Sequence, residues 1–430
     1  MGSTRTNPFR GISMTLTRQG LLAGLFATAA LIALPVHAEV KLAAPASVGM
    51  SAEGLKGIDQ AMHGLVDQGR LAGVTTLVAR HGKVVHFDAY GVQDVNSKAP
   101  MQRDTIFRIA SMTKPVTGVA MMILFEEGKW KLDDPVAKFI PEFADLKVKG
   151  PDGTLVAQAH PMTMRELMSH TAGFDVSSGY APEVTDRNQP LQAMIDKLAK
   201  LPLATQPGSD WRYGPSVNIQ GYLVEKLSGQ PLDVFFQTRI FDPLKMPDTG
   251  FAVSADKLPR VSAIHSYDEQ KKLIAPPNPI NASVKPALLS GSGGLLSTTQ
   301  DYWRFSQMLL NGGELDGARI LKPETVKLMR QNVLKEGVLV DLYGPSMDGV
   351  GFGMDFAVIL DPAKAKTPQG KDSYYWGGAF GTWFWIDPTN DLVFVGMIQN
   401  LNGSIPDRDT PDVRSTSYPL VYKALTDPKK

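Results

Sequence analysis

Phe107-Arg108-Ile109-Ala110-Ser111-Met112-Thr113-Lys114 opens an apolar stretch that runs to about Gly128. Its composition predicts a buried helix starting at Ser111, with Glu126-Glu127-Gly128 supplying a C-terminal glycine stop. On a helix, residues three apart share a face, so the Lys114 amine reaches the Ser111 hydroxyl across one turn. A desolvated amine holds its proton weakly and can take one from a neighbouring hydroxyl. Pro115 disfavours helical geometry at Lys114, although near a helix start its missing N–H costs little.

The same S-x-x-K spacing recurs at Ser254-Ala255-Asp256-Lys257. There Lys257 sits beside Asp256 and ahead of Leu258-Pro259, a polar turn in which an amine stays hydrated and protonated. Ser254 reads as a surface residue.

Upstream, Ser51 caps a helix whose Leu55, Ile58, Met62, Leu65 and Val66 share one side. Val74 to Ala79 and Val84 to Tyr90 then alternate with period two around His81-Gly82, a β-hairpin signature. Downstream, Thr163 and Glu166 form a capping box for a short helix ending near His170, with Gly173 as its stop. His170 itself reads as a structural residue at that helix end. Another helix starts at Ser216, and prolines crowd 276–286 as a crossing linker. A helix over Thr299 to Asn311 is followed by strands over Tyr374 to Gly377, Phe380 to Ile386 and Leu392 to Ile398. Strands near both termini around a helical middle predict one α/β body over 39–110 and 291–430, with a mostly helical domain inserted at 111–290.

The chain has 430 residues, a formal net charge of +1 and no cysteine. Thiol nucleophiles, disulfides and thiolate metal sites are therefore out. Near-neutrality gives no general attraction to nucleic acid or an anionic membrane, so small molecules are the expected partners. The first 38 residues read as a leader: Arg5, Arg10 and Arg18 precede an apolar run from Leu21 to Leu34, and Val36-His37-Ala38 resembles a cleavage site. That run is about 14 residues, short of the roughly 20 needed to span a bilayer. Export to the periplasm or medium after cleavage behind Ala38 is expected, with no integral membrane segment left, and Met14 is a candidate start.

No serine fits the G-x-S-x-G elbow; Ser216 comes nearest, with Asn218 in place of the second glycine. The 7 histidines show no H-E-x-x-H or H-x-H spacing, so no metal and no cofactor is expected. Gly291 to Gly294 lacks a following P-loop lysine and reads as a strand or turn that needs small residues.

Five ordered stretches now carry a resemblance: Phe107 to Lys114, His170-Thr171-Ala172-Gly173, Tyr213 after Trp211-Arg212, Gly293-Gly294-Leu295-Leu296-Ser297-Thr298, and Trp376-Gly377-Gly378. Together they resemble the family VIII carboxylesterases, relatives of class C β-lactamases and penicillin-binding peptidases. The resemblance implies a β-lactamase/transpeptidase-like α/β fold with an antiparallel sheet flanked by helices. It makes Ser111 the acylated nucleophile, Lys114 its proton acceptor and Tyr213 a second base. A lysine cation beside it is expected to bring that phenol near neutrality. The N–H groups of Ser111 and Ala379 would form the oxyanion hole.

Two departures bear on substrate. The lactamase Tyr-x-Asn motif reads Tyr213-Gly214-Pro215 here, leaving Asn218 either to replace the lost amide or simply to pack. Trp376 stands where the third lactamase motif has lysine. Losing that cation forfeits a charge-assisted hydrogen bond of about 1.5 to 3 kcal/mol with anionic substrates. Neutral esters lose nothing, and Trp376, Gly377, Gly378, Asn218 and Trp211 become candidate substrate-binding residues. The expected activity is a serine carboxylesterase for short to medium acyl esters, with promiscuous cephalosporin hydrolysis. The alternatives are a β-lactamase or D-alanyl peptidase, an acyltransferase, and a non-catalytic ligand-binding relative.

Overall fold

The structure is a computed structural model that describes residues 40–277, 280–342, 347–401 and 410–429. The expected leader at 1–38 lies outside the described residues.

Helix α1 (Ala52–Asp67) begins where expected, with the Ser51 hydroxyl accepting from Gly54 N at 3.2 Å. Its Leu55, Ile58 and Met62 are buried, as the helical spacing requires. Strands β1 (Gly73–Arg80) and β2 (Lys83–Gly91) follow as the expected hairpin. Both turn residues have positive φ, 52° at His81 and 69° at Gly82, which is what a two-residue turn between twisted strands demands.

Helix α2 (Thr113–Glu126) starts two residues later than the sequence predicts. Residues Ala110–Met112 form a tight 3-10 turn instead, led by Ala110 in the left-handed region at φ 44°. This offset puts Pro115 third in the helix, where no intrahelical acceptor is lost. Every residue from Thr113 to Leu124 is buried. The box at Thr163 and Glu166 caps α3 (Met164–Met168) reciprocally. Helix α4 (Ser216–Ser228) packs across α2, and α5 is Thr299–Leu310.

Five further strands are β3 (Val350–Phe352), β4 (Ala357–Ile359), β5 (Tyr374–Gly377), β6 (Trp383–Asp387) and β7 (Leu392–Met397), before the last helix α6 (Val413–Lys423). Strand β6 begins three residues later than its pattern suggests because Gly378–Thr382 closes a turn, Gly378 N donating to Thr382 O at 2.7 Å.

These strands make one antiparallel sheet of seven in the order β3-β4-β5-β6-β7-β1-β2. The seam between β7 and β1 is therefore a junction between early and late sequence, with Thr75 opposite Met397. Side chains alternate across it. Trp383 and Trp385 pack with α1 and α6, while Phe384 and Ile386 face the larger core shared with α2 and α5. The buried Arg80 ties down the end of β1, donating to Val48 O at 2.9 Å, Gly49 O at 2.8 Å and Asn390 O at 3.0 Å and pairing with Asp427. Among the described residues no helix is long and apolar enough to cross a membrane.

Candidate active site

A short ladder decides where Ser111 sits. Phe107 and Arg108 pair with Ser297 and Leu296, and Ile109 N donates to Leu295 O at 3.1 Å. This joins the approach to Ser111 to the end of the Gly291 to Gly294 turn. The buried Tyr302 of α5 then fixes the 3-10 turn by donating from Oη to Met112 O at 2.8 Å. Ser111 is left half-buried at the mouth of α2 while Met112, Thr113 and Lys114 are enclosed.

Lys114 Nζ lies 3.2 Å from Ser111 Oγ and donates to Ser292 O at 2.8 Å. It is 2% exposed, and burial pushes its proton affinity down; Tyr180 and Asp355 pull it partly back. With Lys114 as the free amine, the Ser111 O–H can donate to Nζ, which is the geometry of a base beside a nucleophile. From the other side, Tyr213 Oη donates to Ser111 Oγ at 2.7 Å, and Lys114 Nζ is 4.5 Å from the Tyr213 ring centre.

Tyr213 corrects one expectation. Burial pushes its phenol up to about 12, outweighing Ser111, Trp376 and Arg414, which pull it down. Lys114 gives no relief of the kind anticipated, because desolvation disfavours the very cation that would supply it. At rest Tyr213 is a proton donor. Its ring is stacked on His170 at 5.2 Å and flanked by Trp376 at 5.8 Å and Trp211 at 6.1 Å.

Trp376 and Trp211 are buried at 6% and 4% exposure, and both contact Phe352. The Trp376 indole N–H lies near enough to Tyr213 to favour its ionised form, though without hydrogen-bond alignment. Gly378 has no room for a side chain: a Cβ would overlap Ile109 O and Thr382 Oγ1. Thr382 Oγ1 donates to Ile109 O at 3.1 Å, tying the turn that carries Ala379 to the residues before Ser111. Arg414 of α6 grips the same turn, Nη2 donating to Gly378 O at 2.9 Å and to Thr382 O at 3.1 Å, and it also packs against Gly377.

Asn218 takes the second of its two expected places. It is 1% exposed, and its Oδ1 accepts from Ser292 N at 3.0 Å and Ser290 Oγ at 2.9 Å. It holds the loop whose Ser292 carbonyl receives Lys114, so it lies beneath that loop rather than facing a substrate. The Gly291 to Gly294 segment is a turn, one of the two forms expected of it.

No sequence motif points to Tyr180 or Arg414. Tyr180 donates to Gly214 O at 2.8 Å and lies against Lys114 and Ser292. Arg414 comes from the far end of the chain.

The second S-x-x-K is a different environment. Lys257 Nζ pairs with the buried Asp248 at 2.8 Å and donates to Pro247 O at 2.7 Å, along an open cleft of about 410 Å³. Its amine is engaged by a carboxylate and a backbone carbonyl instead of a serine hydroxyl one turn away. Asp59, His63 and Asp88 gather ligand atoms within 4.8 Å of one another across α1 and β2, a grouping that histidine spacing did not show. His63 Nε2 lies 2.7 Å from Asp88 Oδ2 and its ring stacks on Tyr90, whereas among the described residues Asp59 Oδ1 has no hydrogen-bond partner.

A sheet flanked by helices, with a serine, a buried lysine and a tyrosine converging at one helix start, defines a class that comparison with known proteins makes specific. The sequence model of the family described as Beta-lactamase matches residues 58–416, and the chain belongs to that family. It is 35% identical over 365 residues to Protein Rv1367c of Mycobacterium tuberculosis (strain ATCC 25618 / H37Rv), covering 80% of this chain and 90% of that protein. Esterase EstB of Burkholderia gladioli is 31% identical over 345 residues, covering 73% of this chain and 83% of its own. Among solved structures, "EstCE1, a hydrolase with promiscuous acyltransferase activity" aligns with a TM-score of 0.71 at 28% identity, over 85% of this chain and 99% of that one.

Proposed function

We propose that this protein is a serine carboxylesterase that hydrolyses short to medium acyl esters through an acyl-Ser111 intermediate. The observation that carries the reading is the buried Lys114 amine 3.2 Å from a hydroxyl that also receives the Tyr213 phenol at 2.7 Å. Ser111 Oγ attacks the ester carbonyl and its proton passes to Lys114 Nζ. Tyr213 gives its phenolic proton to the leaving alkoxide and recovers one from the Lys114 ammonium, so an alcohol departs and the acyl-enzyme is left with a neutral lysine and phenol. Water then repeats the sequence in reverse and releases the acid. The Ser111 and Ala379 N–H groups serve as the oxyanion donors, typically worth a few kcal/mol of barrier each.

Substrate class follows from the wall. Trp211 and Trp376 flank Tyr213 with aromatic surface, and Phe352 packs against both of them. Such a wall receives apolar acyl or alcohol groups and offers an anionic substrate no charge partner where Trp376 stands. The names of EstB and EstCE1 support an ester substrate. The latter's title also favours a second reading, in which an alcohol replaces water as acyl acceptor. We place the mature protein outside the cytoplasm, on the leader-like start of the sequence, and read 111–290 as an insertion in the sheet-bearing body.

The test is hydrolysis of p-nitrophenyl esters of rising chain length beside nitrocefin, with and without an acceptor alcohol. Fast ester turnover, weak nitrocefin turnover and fluorophosphonate labelling at Ser111 are expected. Full esterase activity in Ser111→Ala, or nitrocefin hydrolysed faster than every ester, would reject the assignment.

A further inference from the structure

Behind Lys114 and Tyr213 lies a pair of ionisable residues for which the mechanism above has no use. Asp355 occupies the turn between β3 and β4 at φ 64°, and His170 follows α3 at φ 60°. Asp and His tolerate this left-handed region better than most residues, so backbone strain alone says little. Their side chains say more. Both are 0% exposed and face each other at 4.0 Å, too far for a hydrogen bond.

Among the described residues, Asp355 Oδ2 and both His170 ring nitrogens lack a hydrogen-bond partner of acceptable geometry. Asp355 Oδ1 receives only Gln220 Nε2, at 3.2 Å. A fold seeking stability alone would place apolar side chains here. Moreover α2 makes room for this carboxyl: a Cβ on Gly118, one turn beyond Lys114, would come within 2.8 Å of Asp355 Oδ2. The His170 ring meanwhile stacks on Tyr213 at an interplanar angle of 23°.

We propose that Asp355 and His170 are positioning residues for the ester hydrolysis inferred above: Asp355, seated on α2, sets how tightly Lys114 holds its proton, and His170 holds the Tyr213 ring against Ser111. The inference rests on that hydrolase reading.

Burial pushes Lys114 down and Asp355 up, while the charged form of each favours the charged form of the other. The two can therefore interconvert between amine with acid and ammonium with carboxylate without any change in proton count. Tyr180 acts on Lys114 in the same direction as Asp355, Gln220 favours the carboxylate, and Arg414 acts on Tyr213. His170 is held down to about 3 by burial and then by Lys114, so it stays a neutral stacking ring.

The experiment is the pH profile of kcat and KM for p-nitrophenyl butyrate, with thermal unfolding in parallel. Asp355→Asn keeps size and left-handed tolerance while removing the charge. It is expected to fold with an undiminished thermal midpoint, to move the acidic limb of kcat/KM about one unit lower and to lower the plateau roughly tenfold with KM unchanged. Gly118→Ala pushes the carboxyl aside without altering any charge and is expected to move the limb in the same direction. His170→Phe retains most of the kcat that His170→Ala loses.

An unmoved acidic limb in Asp355→Asn, or failure of that isostere to fold, overturns the role of Asp355. Equal losses in the two His170 variants overturn that of His170. A wild-type protein that neither turns over esters nor labels at Ser111 sinks the hydrolase reading itself, a result distinct from both.

Discussion

The Tyr213 phenol donates to the Ser111 hydroxyl at 2.7 Å while burial holds its own pKa up at about 12, which in the proposed mechanism makes the tyrosine the resting acid and the lysine the base. Tyr213→Phe keeps the ring stack and deletes the proton. Its kcat is expected to fall by about 10² to 10⁴ with KM and thermal midpoint near wild type. Stopped-flow turnover beside a melting curve checks this. A matching drop in stability would reassign Tyr213 to packing.

The pH profile should be one-sided. In the proposed mechanism Lys114 works as the free amine, so rate is lost as pH falls through its depressed proton affinity. On the alkaline side nothing in the trio titrates until Tyr213, near 12. kcat/KM is expected to rise to a plateau and stay flat to about pH 10, where a bell with an alkaline limb near neutrality would contradict the assignment. Stability has a matching sign: a lysine depressed on folding binds more protons unfolded, so its contribution increases with pH between its folded and unfolded values.

Arg414→Ala removes both hydrogen bonds that grip the Gly378–Thr382 turn. Charged hydrogen bonds of this kind are worth about 1.5 to 3 kcal/mol, so kcat/KM should fall roughly 10- to 100-fold, equally for short and longer neutral esters. A loss confined to anionic esters would instead make Arg414 a substrate contact.

Asn218→Ala frees the 290–292 loop from its acceptor. Unfolding free energy is expected to drop by about 1 to 3 kcal/mol, with a fall in kcat because the Ser292 carbonyl no longer fixes Lys114. Asn218→Asp keeps the acceptor oxygen and should recover much of the loss. Denaturant titration and turnover of both variants decide it.

Local chemistry was legible from the chain alone. The Ser51 cap, the His81-Gly82 hairpin and the Thr163 and Glu166 box depend on residues a few positions apart, so spacing carries them. The start of α2 was misread by two residues because the turn geometry set by Ala110 answers to the pairing of Phe107 with Ser297, which no local pattern encodes. Tyr180 and Asp355 reach the site from separate loops and Arg414 from α6, with no motif around them. The protonation of Tyr213 was misjudged for a related reason: sequence names a charged neighbour, whereas burial decides whether that neighbour keeps its charge.

The partnering of Thr75 with Met397 also fixes an order of events during biosynthesis. The hairpin made early must wait, with one of its flanks bare, until the strand carrying Met397 has emerged. Loss of the last segment, including Asp427 and its tie to Arg80, should therefore be felt first by the oldest strands of the molecule.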